Sequence, residues 1–208
     1  MYSCSMCWRN YSSRSVLSEN IKWFFRSDFT QGIAVQGKNI ISSANIGFNN
    51  TSECCDSGTS SFKYSLTNEE VVLMHTHGAP GLVTLSSSTT VTGSDISGWN
   101  GALGARLFYI SSCETGTVSQ VYGDLPAIAV GKGVYSVVSF RNVISASSDY
   151  NGIHNFNRLA ITNMTQGYGL TYAMSRAYTT FSALCNNGYY GADSYRITGN
   201  YYYMMNHS

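Results

Sequence analysis

The clearest texture in the sequence is a set of short apolar runs, each ending abruptly in small or polar residues. Val71-Val72-Leu73-Met74 stops at His75-Thr76-His77-Gly78, residues 105–110 stop at Ser111-Ser112-Cys113, and residues 134–140 stop at Arg141. Continuous runs of this length predict strands buried on both faces, as in a parallel sheet. Between and after them, apolar residues recur at helical spacing over residues 96–103, 125–131, 153–164 and 170–184. Ser94-Asp95 supplies helix-start chemistry for the first of these, and glycines flank the last two. Residues 82–91, rich in Ser, Thr and β-branched side chains, predict a surface hairpin, and residues 194–197 a last short strand.

The first third is less legible. Residues 1–8 read as a strand, and Val16, Leu17, Ile21, Phe24 and Phe25 recur at helical spacing, which predicts a helix over 16–25. Residues 32–62 alternate short apolar groups with Asn, Ser and Gly and predict weak strands joined by long loops. Thr67-Asn68-Glu69-Glu70 reads as a turn into the next strand. Strand and helix thus alternate along the chain, which argues for an α/β sandwich with a mainly parallel sheet. At 208 residues this is one domain, spanning 1–208, with a well-buried core.

Composition narrows the function. Lys plus Arg number 12 and Asp plus Glu 11, a net charge of +1, so no large field of one sign attracts nucleic acid or an acidic membrane. Charged residues make up only 11% of the chain, and Ser, Thr, Asn, Gly and Tyr fill the gap, a surface resembling that of secreted bacterial proteins. No apolar run approaches the roughly 18 residues of a membrane span, and residues 1–14 hold no signal-peptide core. Asn50-Thr51-Ser52 and Asn163-Met164-Thr165 match the glycosylation acceptor pattern, which is frequent by chance.

The six cysteines, Cys4, Cys7, Cys54, Cys55, Cys113 and Cys185, lack the regular spacing of a disulfide framework. Cys4 and Cys7 have the spacing of half a zinc site, but adjacent Cys54 and Cys55 lack the two-residue gap that lets both thiolates face one metal. Cys113 has a different context. In open α/β sheets reactive groups gather at the carboxyl ends of strands, and both His77 and Cys113 follow apolar runs at such ends. A thiol is only a few per cent thiolate at neutral pH, so a neighbouring imidazole assists its ionisation and later protonates the leaving group. Gly78 and Gly81 clear the approach of a carbonyl substrate to backbone N–H donors. His75 is the competing base; alternation sets it deeper on the same side as His77, and it reads as structural. His154 and His207 have no such context.

His77-Gly78-Ala79-Pro80-Gly81 resembles the His-Gly-x-x-Gly block of the caspase-like, clan CD peptidases. Ser111-Ser112-Cys113-Glu114-Thr115-Gly116, whose Cys113 lies 36 residues after His77, resembles the Ser-Ala-Cys-x-x-Gly segment that carries their nucleophile, in the form of the CHAT subgroup. The resemblance covers about 70–199. It implies a three-layer α/β/α caspase-like sandwich and a cysteine endopeptidase, with Cys113 as nucleophile, His77 as general acid and base, and the backbone N–H groups of Gly78 and Cys113 as oxyanion donors.

The resemblance further implies that Ser111 and the segments after the first and fifth strands line the primary pocket. Arg14 and Arg141 then offer partners for an acidic substrate side chain, and Asp149 for a basic one, each having an equal claim as a solvated surface charge. The expected substrate is a polypeptide, and no metal or organic cofactor is implied. One rival keeps the fold as a catalytically silent binding or scaffold domain. Another is a zinc-stabilised domain built on Cys4, Cys7, Cys54 and Cys55.

Overall fold

The computed structural model describes residues 18–25, 40, 50–55, 57–144, 152–184 and 191–205. In chain order the first elements are β1 (Ser18–Phe25), β2 (Asn50–Cys55), α1 (Thr59–Asn68), β3 (Glu69–His75), β4 (Gly78–Ala79), β5 (Leu82–Thr84) and β6 (Thr90–Thr92). They are followed by α2 (Gly93–Gly98), β7 (Leu107–Ser111), α3 (Leu125–Gly131), β8 (Ser136–Phe140), α4 (Gly152–Thr165), α5 (Leu170–Leu184), a 3-10 turn (Ala192–Ser194) and β9 (Tyr195–Gly199).

The main sheet runs in the order β2-β1-β3-β7-β8-β9. All neighbours are parallel except β9, which runs antiparallel to β8. The three apolar runs are therefore adjacent parallel strands, buried at every position, as their lack of alternation predicts. Period two divides their side chains between two cores. Leu73, Tyr109 and Phe140 pack with Phe156 of α4 and Met174 and Phe181 of α5. Val72, Phe108 and Val137 pack on the opposite face with Phe62 and Leu66 of α1, Ile96 of α2 and Leu125 of α3. Helices thus cover both faces of one sheet, a three-layer α/β/α sandwich. Each fully buried large apolar side chain contributes about 1.5–3 kcal/mol, so both layers are held chiefly by burial.

Two readings of the first third are corrected. The helix expected over 16–25 is strand β1, held between β2 and β3 in a parallel ladder with Ile21 opposite Val71 and Phe25 opposite His75. Within 32–62 strand β2 agrees with the weak strands expected there, but the stretch also opens helix α1 at Thr59, and the turn read at Thr67-Asn68 is the last part of that helix. Helix α2 ends at Gly98, short of residue 103, and its N-cap is Thr92, whose side chain and that of Asp95 form a capping box. The hairpin expected over 82–91 is the pair β5–β6, part of a small antiparallel sheet β4-β5-β6 whose Val83 and Val91 are buried. The strand expected over residues 1–8 lies outside the described residues. Among the described residues no helix is long and apolar enough to cross a membrane.

Candidate active site

Strands β3 and β7 end on the same rung: His75 stands opposite Ser111 in the parallel register. The Thr76 N–H donates to the Ser111 carbonyl at 3.2 Å, so the ladder continues one step before the chains part. His77 and Cys113 each lie two residues beyond that rung, and parallel strands send both at the carboxyl edge of the sheet.

Past the rung the His77 segment turns into the small sheet. The Thr84 N–H donates to the His77 carbonyl at 3.0 Å. Hydrogen-bonded and non-bonded pairs alternate in an antiparallel ladder, so Gly78 opposite Val83 is a non-bonded pair. The Gly78 N–H therefore points away from β5. On its other flank Gly78 meets the cysteine loop: a Cβ there would crowd Ser112 Oγ, stand 2.6 Å from Thr115 Cγ2 and 3.0 Å from the Cys113 carbonyl oxygen. A side chain there would force Ser112, Thr115 or the Cys113 carbonyl to move.

The cysteine loop is pinned in turn to the end of β8. The Glu114 N–H donates to the Asn142 carbonyl at 3.1 Å and the Gly116 N–H to the Phe140 carbonyl at 2.7 Å. Glu114 has φ 54, the one non-glycine residue in the left-handed region among the described residues. That conformation costs about 1–2 kcal/mol and turns the chain sharply just after Cys113. Gly116 closes the turn where a Cβ would lie 2.9 Å from Ser139 Oγ and 3.0 Å from the Phe140 carbonyl. Arg196 of β9 braces the same loop, donating to the Gly116 carbonyl at 2.9 Å and gripping Asp124 through both carboxylate oxygens at 2.7 and 3.0 Å. Asp124 also caps α3 through the Ala127 N–H.

Cys113 is a free, half-buried thiol whose Sγ donates to the Ile144 carbonyl at 3.5 Å. His77 is exposed, whereas His75 is buried and its Nδ1 lies 2.9 Å from Ser111 Oγ. Burial, reinforced by the nearby His154 and His77, lowers the His75 pKa to about 3, so this ring is neutral across the physiological range. His154 of α4 packs its ring 5.0 Å from that of His75, and burial lowers its pKa to about 4. Sequence spacing gave His154 no context because α4 brings it in from far along the chain.

Of the residues expected to line a substrate pocket, Ser111 is buried, its hydroxyl held between His75 and Asn157. Arg141 is exposed at the end of β8, its N–H donating to the Ser194 carbonyl at 3.0 Å and its carbonyl accepting from Thr117 Oγ1 at 2.7 Å. Arg14, Asp149 and His207 lie outside the described residues, as do Cys4, Cys7 and Cys185. Cys54 and Cys55 lie on β2. Among the described residues no three His, Cys, Asp or Glu gather as a metal site would require. Asn157, Glu114, Asp124 and Arg196 were not singled out in the sequence. Only Asp124, directly before Leu125-Pro126, carried a local signal, that of a helix cap.

No protein-family model and no curated protein matches the sequence. Solved structures do match. A chain in a crystal structure of the Saccharomyces cerevisiae separase–securin complex aligns with 88% of this chain at a TM-score of 0.61 and 12% identity. A chain in a second crystal structure of that complex aligns with 87% at a TM-score of 0.58 and 12% identity. This chain spans 12% of the length of each matched chain. The likeness is one of fold: the chain has the caspase-like α/β/α architecture, with its mainly parallel sheet, of these separase structures.

Proposed function

We propose that the chain is a cysteine endopeptidase in which Cys113 and His77 form a catalytic dyad. The observation that carries this reading is the close approach of Gly78 to the Cys113 carbonyl, which brings the two motif loops together with no room for a side chain between them. In the proposed reaction the His77 imidazole takes the Cys113 thiol proton, and the sulfur attacks the scissile carbonyl carbon. The negative charge passes to the carbonyl oxygen, which the N–H groups of Gly78 and Cys113 receive. The imidazolium then protonates the leaving amine as the C–N bond breaks, giving a thioester. Water, deprotonated by His77, attacks that acyl-enzyme, the C–S bond breaks, and a carboxylate and the free thiol are restored.

The Gly78 N–H, left unused by β5, supports the oxyanion role. The Ser-Ser-Cys form of the second block supports a likeness to the CHAT subgroup. The substrate is a polypeptide, and Arg141 or Arg14 would favour an acidic side chain at the cleaved residue where Asp149 would favour a basic one. One observation favours a second reading, a catalytically silent scaffold: the Cys113 sulfur donates to the Ile144 carbonyl. A positional peptide library separates the two. Cleavage by the wild type, lost in Cys113→Ala and in His77→Ala, supports the peptidase and reads out the preferred residue. No cleavage by the wild type, with or without calcium and limited proteolysis, favours the scaffold.

A further inference from the structure

Beneath the candidate dyad runs a chain of buried hydrogen bonds that the proposed chemistry does not itself use. The Tyr109 hydroxyl donates to Asn157 Oδ1 at 2.7 Å, Asn157 Nδ2 donates to Ser111 Oγ at 2.7 Å, and that oxygen lies 2.9 Å from His75 Nδ1. The Ser111 hydroxyl has one proton and two acceptor sites, so with Asn157 donating to it the tautomer of His75 decides which partner donates in the contact with Nδ1. Burial keeps this ring neutral, so it holds one donor and one acceptor nitrogen.

The chain ties three elements together. Tyr109 and Ser111 belong to β7, His75 to β3 and Asn157 to α4. One rung lower in the sheet, the same pairing of β3 with β7 is made by Met74 and Ile110, which rely on apolar packing. Apolar contact is non-directional, whereas a chain of donors and acceptors fixes separation and orientation. Leaving a member unpaired costs about 1–3 kcal/mol, so the chain holds as a unit. Its last two members stand immediately before the loops of interest: His75 two residues ahead of His77, and Ser111 two ahead of Cys113.

We propose that Asn157, Ser111 and His75 are positioning residues, whose shared hydrogen bonds set the spacing between the His77 loop and the Cys113 loop. The inference rests on the reading of those two residues as a dyad. It differs from a purely structural role in one respect: removing a hydrogen bond should uncouple the imidazole from the thiol while the thiol stays accessible.

The test is the rate at which iodoacetamide alkylates Cys113 in the full chain, followed by mass spectrometry near pH 7 and near pH 10. Ser111→Ala and His75→Leu should slow alkylation roughly tenfold near pH 7, since misplacements of an ångström cost factors of this order or more. His75→Asn, whose amide offers both a donor and an acceptor in place of Nδ1, should recover most of the rate. All variants should converge near pH 10, where hydroxide ionises thiols without help from an imidazole. The inference is overturned if Ser111→Ala and His75→Leu match the wild type near pH 7 while His77→Ala is slow. It is equally overturned if they are slow at both pH values, which marks a disturbed site, or if His75→Asn is no better than His75→Leu. If His77→Ala itself has no effect, the dyad reading fails first and the positioning role falls with it.

Discussion

Gly78 rests against the carbonyl of Cys113 so closely that a methyl group on its Cα would stand 3.0 Å from that oxygen. The contact joins the two loops that follow the shared rung of β3 and β7, and its other neighbours, Ser112 and Thr115, belong to the same cysteine loop. Gly78→Ala should therefore push the loops apart. Overpacking of this kind costs about 1–3 kcal/mol, and the proposed peptidase activity should fall by much more than the stability does. Thermal unfolding and peptide cleavage on the same preparation check this; a fully active Gly78→Ala chain would contradict it.

The fork of Arg196 on Asp124 ties β9 to the cap of α3, and its third hydrogen bond holds the Gly116 carbonyl. Hydrogen bonds to charged groups contribute about 1.5–3 kcal/mol, so Arg196→Met should destabilise by an amount of this order. Arg196→Lys should restore little of it, because an ammonium cannot span both carboxylate oxygens and the carbonyl at once. Urea unfolding of the three chains measures the difference, and equal midpoints for Lys and Arg would refute the geometry.

His75 and His154 make stability depend on acid. Their folded pKa values are lowered to about 3 and about 4, against an ordinary 6.5. Between those limits the unfolded chain binds protons that the folded chain refuses. The stability they confer is therefore complete above about pH 6.5 and is lost as the pH falls towards 4 and 3. Each histidine contributes a slope of up to about 1.4 kcal/mol per pH unit in that window. Denaturant midpoints from pH 7 to pH 4 should fall steeply in the wild type and less steeply in His75→Asn. Parallel curves for the two proteins would show that His75 is not the group being protonated.

The parts of this fold legible in the sequence are those whose signal is local. Leu125–Gly131 and Leu170–Leu184 carry helical spacing and form helices with those bounds. The runs at Val71, Leu107 and Val137 announce buried strands because both faces need apolar residues. The same property hid β1: a strand between two parallel neighbours has no alternation to display, and Ile21, Phe24 and Phe25 then mimic a helical stripe. Helix α1 was hidden for the opposite reason. Its Ser, Thr and Asn are weak helix formers, and only Phe62 and Leu66, one turn apart, carry its apolar face. The motif cysteine and histidine were visible because each follows a buried strand by two residues. The hydrogen bonds beneath them were not, since Asn157 reaches Ser111 across 46 residues.

The central claim, that His77 activates Cys113, is tested most directly by a race among thiols. Folded protein is treated with substoichiometric iodoacetamide near neutral pH, and the six cysteines are read individually by mass spectrometry. The account predicts that Cys113 is modified ahead of Cys4, Cys7, Cys54, Cys55 and Cys185, that His77→Ala removes this lead, and that limited proteolysis or calcium does not reverse the order. A Cys113 that is the slowest thiol, and indifferent to His77 under all of these conditions, would contradict it and leave a scaffold with a caspase-like fold.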